Sequence, residues 1–126
     1  MLVLDSGGVS KLATRDQPAA ALLIMLRRRG LWPPVVPTVV LVESLTGDAR
    51  RDTNTNRLIK ACDVRPAVHE HIARRAADLR TRAGCGSAVD ALTIAIAEPG
   101  GTVLTGDKAD LSALAANAAN VTVKII

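Results

Sequence analysis

Residues 2–8 read Leu-Val-Leu-Asp-Ser-Gly-Gly and residues 102–107 read Thr-Val-Leu-Thr-Gly-Asp. Each is a short, mostly apolar run that ends in a polar turn carrying an acid. A run of apolar residues without alternation suits a strand covered on both faces, and such strands belong to parallel sheets flanked by helices. Leu2–Leu4 therefore reads as a central parallel strand ending at Asp5. Ser6, Gly7 and Gly8 read as a flexible turn leading to a brief segment around Val9 to Leu12.

Outward from these two runs, helix and strand signals alternate. Asp16 is placed to cap a helix whose second residue is Pro18, and this helix runs through Ala19 to Arg29 and stops at Gly30. Pro33, Pro34 and Pro37 leave Val35 and Val36 room for only a short strand, after which Thr38 is the expected cap of a helix carrying Glu43 about one turn in. Residues 47–56 read as a turn or break, residues 57–61 as a short helix, and Val64 as a third strand. Pro66 suits the first position of a longer helix with a buried stripe of Val68, Ile72, Ala76 and Leu79. Ser87 caps the next helix, with Leu92, Ala95, Ile96 and Ala88 as its apolar side, until Pro99 and Gly100 stop it. A helix over residues 109–116 and a strand over 121–125 follow Thr102–Leu104. The alternation predicts an α/β fold, a central, mostly parallel sheet flanked by helices, in one domain spanning residues 1–126.

Composition narrows the function classes. The 126 residues are 48% hydrophobic, and Trp32 is the single aromatic residue, so a surface that stacks successive bases on aromatic rings lacks its material. Sixteen basic against twelve acidic residues give a formal charge of +4, which favours a polyanionic partner and also suits plain solubility. The arginines are grouped, and Arg50, Arg51, Arg74 and Arg75 are candidate contacts to RNA phosphates. Cys62 and Cys85 have no metal-ligand spacing and read as buried free thiols. His69 and His71 flank Glu70 and are expected to point in different directions on a solvated face. The opening residues lack the pattern of a signal peptide, and apolar stretches fall short of the roughly 20 residues that cross a bilayer. A cytoplasmic location without membrane contact is expected.

Four carboxylates stand where this organisation can gather them: Asp5, Glu43, Asp90 and Asp107. Carboxylates beside a cleft suit a hard cation such as Mg²⁺ or Mn²⁺, which takes oxygen ligands and retains water. Each acid also has a local explanation. Asp5 and Asp107 fit turns or caps, Glu43 fits a solvent-facing position, and Ser87-x-x-Asp90 matches a capping box.

Together these motifs resemble the PIN-domain ribonucleases and, within them, the VapC-type toxins of bacterial toxin–antitoxin pairs. The resemblance runs nearly the full length, through Leu2-Val3-Leu4-Asp5, residues 37–43 ending in Glu43, residues 90–95 from Asp90, and residues 103–107 ending in Asp107. It implies a PIN-like fold and metal-dependent hydrolysis of RNA. Asp5, Glu43, Asp90 and Asp107 would be the catalytic, metal-associated acids, with Ser6, Thr105 and Asp110 in support. It also implies a homodimer and a cognate antitoxin covering the acids; Leu22, Leu23, Leu26 and Trp32 offer apolar surface for the dimer. A weakly active or inactive nucleic-acid-binding or interaction module on the same fold, and a metal-dependent phosphatase or DNA nuclease, remain alternatives.

Overall fold

The computed structural model describes residues 1–65, 69–107 and 109–126. Leu2–Leu4 forms β1, the middle strand of a five-stranded sheet in the order β3-β2-β1-β4-β5. β2 is Val35–Pro37, β3 Asp63–Arg65, β4 Thr102–Thr105 and β5 Thr122–Ile125, and all pairings are parallel. Among the described residues seven helices flank the sheet: α1 Ser6–Ala13, α2 Gln17–Arg28, α3 Thr38–Ser44, α4 Thr53–Ile59, α5 Glu70–Ala83, α6 Ala88–Ala97 and α7 Ala109–Ala115.

Successive side chains of a strand point to opposite faces, so each strand supplies two cores. Val3, Val35 and Val103 pack with Ala76 and Leu79 of α5, Ala91, Ile94 and Ala95 of α6, and Leu111 and Leu114 of α7. Leu2, Leu4, Val36 and Leu104 face the other way, onto Val9 and Leu12 of α1, Leu26 of α2, Val40 of α3 and Leu58 of α4. Burial on both faces is why β1 tolerates no polar residue until Asp5.

Several boundaries follow the capping signals. Asp16 accepts a hydrogen bond from Ala19 N at 2.9 Å and starts α2. Ser87 and Asp90 form a complete capping box on α6: Asp90 N donates to Ser87 Oγ at 3.0 Å and Ser87 N to Asp90 Oδ2 at 3.1 Å. Elsewhere the local reading fails. Pro37, without a side-chain bond, is the cap of α3, and Thr38 is its first helical residue. The buried side of α6 is Ala91, Ile94, Ala95 and Ala97, while Ala88 is exposed and Leu92 and Ile96 are only partly covered. In an almost wholly apolar helix the pattern does not choose the face; the small alanines let α6 approach the sheet. Pro66 and Val68 lie outside the described residues, and α5 begins at Glu70 with Ile72, Ala76 and Leu79 turned inward.

The largest departure concerns Ser6-Gly7-Gly8, which is the first turn of α1 rather than a loop. The glycines serve close approach. A Cβ on Gly8 would lie 2.3 Å from the Leu104 carbonyl oxygen, and one on Gly7 would lie 2.5 Å from Gly106 N. Both neighbours are backbone and have no rotamer with which to yield.

The apolar residues expected at a dimer surface are wholly or partly covered by the chain's own core. Leu26 is 2% exposed, and Leu22, Leu23 and Trp32 pack on the chain's own core; Ile24, at 52%, is the apolar residue that α2 turns outward. Much of the apolar area of this helix covers the sheet. At the sheet edges, β3 carries exposed Asp63 and Arg65, paired at 3.5 Å, and β5 carries exposed Thr122 and Lys124.

One ionic clamp ties three elements together. Arg75 of α5 donates through Nε and Nη2 to Glu98 at 2.8–3.2 Å, through Nη1 to Asp78 at 2.8 Å, and to the Asn117 carbonyl at 3.2 Å. Glu98 also accepts from Ala119 N at 2.9 Å, next to the entry of β5. The Arg75 guanidinium holds the Glu98 carboxyl below its ordinary range.

Two measurements check this account. Gly8→Ala is expected to lower the unfolding free energy by about 3 kcal/mol or more in urea titrations, since the added methyl meets backbone rather than a movable side chain. A depressed carboxyl stabilises the fold above its unfolded pKa of about 4.3, and that contribution fades as pH falls through the folded value. Glu98→Gln should therefore cost about 1–2 kcal/mol at pH 7, with Arg75 screened by its exposure, and the difference from wild type should shrink below about pH 4.

Candidate functional site

β1 hands its chain directly to α1 at Asp5. The carboxylate, only 7% exposed, accepts Gly8 N at 2.7 Å and so caps α1 from the end of the middle strand. Burial pushes its pKa above the ordinary aspartate value. The Thr105 hydroxyl and the Gly8 and Gly7 N–H groups oppose that rise, and the charge of Asp90 adds to it.

Asp90 reaches this edge through the course of α6. That helix enters β4 through the turn at residues 98–101, so its far end lies at the opposite, carboxyl edge of the sheet. Ten helical residues rise about 15 Å and a four-residue strand about 13 Å, so the lengths match. The capping box commits one Asp90 oxygen to Ser87 N.

Asp107 sits in the turn after β4, exposed, with Oδ1 accepting Ala109 N at 3.2 Å. Thr105, 1% exposed, donates its hydroxyl to the Asp107 carbonyl at 2.7 Å and accepts Asp107 N at 3.1 Å. Thr105 therefore stands between the Asp107 backbone and Asp5, and its single hydroxyl proton serves either the Asp107 carbonyl or the Asp5 carboxylate at any moment. Glu43 is exposed on α3 and faces Ser6 across a cleft of about 300 Å³, whose wall includes Ser10, Thr14, Ser44 and Asn54.

The four acids are thus not a single knot. Asp5 and Asp90 are electrostatic neighbours, Asp107 is tied to Asp5 through Thr105, and Glu43 lines a cleft that Ser6, next to Asp5 in the chain, shares. Among the described residues no group of three or more His, Cys, Asp and Glu side chains is arranged to hold a metal ion. The donors nevertheless have the right character. Mg²⁺ commonly uses one or two carboxylates and keeps several waters, and each of the three aspartates commits one oxygen to a backbone N–H, which orients the other.

Other expected residues fall differently. Asp110, exposed in the first turn of α7, lies beside the Cys85 thiol, whose pKa rises through burial and the charges of Asp110 and Asp90. Cys85 and Cys62 are half-buried rather than fully buried, and burial pushes the Cys62 thiol up to about 11. The His69 and His71 rings stack, 5.6 Å apart and 11° from parallel, and do not diverge. This is possible because His69 precedes the first turn of α5. Arg74 is paired with Glu70 at 2.8 Å at an exposed site, Arg75 is held in its clamp, and Arg50 and Arg51 are exposed in the loop before α4.

No family model matches the chain, and no curated protein matches it. No helix among the described residues is long and apolar enough to cross a membrane.

The raised carboxyl of Asp5 makes a thermodynamic prediction. Its contribution to stability is full below the unfolded pKa and is lost as pH rises through the folded value. Asn caps helices as well as Asp does. In thermal melts without divalent ions, Asp5→Asn should therefore gain on wild type as pH rises from 4 to 7.5, whereas Asp5→Ala should lose about 1 kcal/mol for the missing cap. Added Mn²⁺ should raise the melting temperature of wild type more than that of Asp5→Asn.

Proposed function

We propose that this protein is a metal-dependent endoribonuclease that hydrolyses RNA phosphodiesters with Mg²⁺ or Mn²⁺, acting as the toxin of a toxin–antitoxin pair. The observation that carries the reading is the buried Asp5 carboxylate at the end of the middle strand, unfavourable as a lone charge and made more so by Asp90. Parallel sheets bind ligands beyond the carboxyl ends of their strands. A buried acid beside a second acid at that edge favours a cation.

A bound divalent ion supplies an acidified water and stabilises charge developing on the phosphate. Asp5 and Asp90 would hold it with their uncommitted oxygens, and Asp107 would contribute directly or through water. Glu43 would orient water or substrate from the other wall of the cleft, with Ser6 near the reacting phosphate. Thr105 keeps the Asp107 turn in register with Asp5. The cognate antitoxin would set a basic side chain against the acid pair, replacing the cation's charge, and the toxin would act as a homodimer.

The complete capping box favours a second reading, because it accounts for Asp90 without any chemistry. On that reading the chain is a nucleic-acid-binding or interaction module with little or no activity.

Incubation of the full chain with mixed oligoribonucleotides separates the two. Cleavage should appear with Mn²⁺ or Mg²⁺, vanish with chelator, and fall about 100-fold or more in Asp5→Asn and Asp90→Asn. Both substitutions keep an oxygen for the backbone N–H and should leave the melting temperature within a few degrees of wild type. Cleavage that survives chelator, or that both variants retain, overturns the nuclease. Parallel DNA and phosphomonoester substrates test the related hydrolases.

A further inference from the structure

The fold uses many of its arginines internally. Arg65 pairs with Asp63, Arg74 with Glu70, Arg75 with Glu98 and Asp78, and Arg82 with Asp78, while Arg80 donates to the Gly86 carbonyl. Arg15, Arg27 and Arg57 form no ion pair among the described residues, yet all three line one groove of about 230 Å³ between α1, α2 and α4. No acid lines this groove. Its floor includes Leu12, Leu23 and Leu58, and Trp32 lies in its wall with the Arg27 guanidinium 5.1 Å from the ring centroid.

Two observations connect the groove to the acid site. Ala13 and Asn54 belong both to this groove and to the cleft shared by Ser6 and Glu43, so the two depressions adjoin. The cleft itself is lined by the hydroxyl residues Ser6, Ser10, Thr14 and Thr55, which suit a sugar.

The backbone adds a third. Arg15 has φ of 61°, in the left-handed region at the end of α1, where glycine is the residue of least strain. A long cationic side chain stands there at conformational cost, on the rim of a groove with two other arginines.

We infer that the α1–α2–α4 groove is the track of a single RNA strand, with Arg15, Arg27 and Arg57 on its phosphates and the hydroxyl-lined cleft receiving the sugar beside Asp5. Charge complementarity favours a polyanion over an apolar protein segment, since three unpaired cations surround a groove without acids. Guanidinium groups grip phosphate oxygens through paired N–H donors. The track needs no row of aromatic residues, which this chain does not have. The inference rests on the ribonuclease reading for the identity of the polymer, and binding without divalent ions tests it separately from cleavage.

The experiment is fluorescence anisotropy of a labelled mixed-sequence 12-nucleotide RNA with the full chain in chelator, across a salt series. Arg15→Gly, Arg27→Ala and Arg57→Ala should each weaken binding about threefold to tenfold and flatten the dependence of affinity on salt by about 0.7 per lost phosphate contact. The triple variant should lose roughly 30-fold or more. Arg82→Ala, at a paired exposed site, should stay within about twofold of wild type. Arg15→Gly carries the sharper test, because relief of the left-handed backbone leaves its melting temperature equal to or above wild type while RNA binding falls. An all-DNA strand of the same sequence should bind more weakly, having no 2′-hydroxyl for the cleft. Equal affinity in the folded triple variant, or an equal loss in Arg82→Ala, overturns the track; the first result would leave the groove to a protein segment. Intact, arginine-dependent RNA binding without any cleavage would overturn the ribonuclease and leave the track standing.

Discussion

The contact on which the site depends is one of backbone on backbone. The first turn of α1 lies so close to the end of β4 that there is no room for a side chain at Gly8 beneath the Leu104 carbonyl. That closeness lets Asp5 end a strand and cap a helix in consecutive positions. It also carries Ser6 to the cleft and brings the Gly106–Asp107 turn beside the buried carboxylate. A larger residue at Gly7 or Gly8 would push α1 outward and separate Asp5 from Thr105 without touching either residue.

Much of this was legible in the residues. Leu2–Leu4 and Val103–Leu104 announce buried parallel strands by lacking alternation, and Asp16 and Ser87 announce helix starts through chemistry confined to three or four residues. Long-range choices were less legible. The apolar pattern of α2 cannot say whether Leu22, Leu23 and Leu26 meet the chain's own sheet or a second copy, because both cover the same surface. A Gly-Gly pair reads as freedom of the backbone until the facing strand is known. Arginine clusters in sequence likewise hide which guanidinium groups the fold has already engaged. Arg75 looked like a surface cation and is the centre of an ionic clamp, while Arg15, Arg27 and Arg57, spread over 43 positions of numbering, share one groove.

The candidate acids show how a structural role and a chemical role can coexist. Asp5 and Asp90 each give one oxygen to a helix start, and this fixes where the other points. A cap is ordinarily a reason to discount an acid as a ligand. Here it is also the device that would hold a ligand still, since a carboxylate bound on one side loses little further freedom when a cation meets the other. Glu43, exposed on α3, has no such anchor, so its part at the site depends on what enters the cleft.

The two outer strands bear on how copies of this chain can meet. β3 presents an Asp63–Arg65 pair and β5 presents Lys124, so an approaching strand would have to desolvate charge along either border before gaining ladder bonds. Such borders discourage the sheet from continuing into a neighbouring molecule. Any assembly is thereby directed to the helical layers, where register is set by shape rather than by an open-ended backbone template. The same feature guards a small, strongly aliphatic domain against fibrous growth while it is being made.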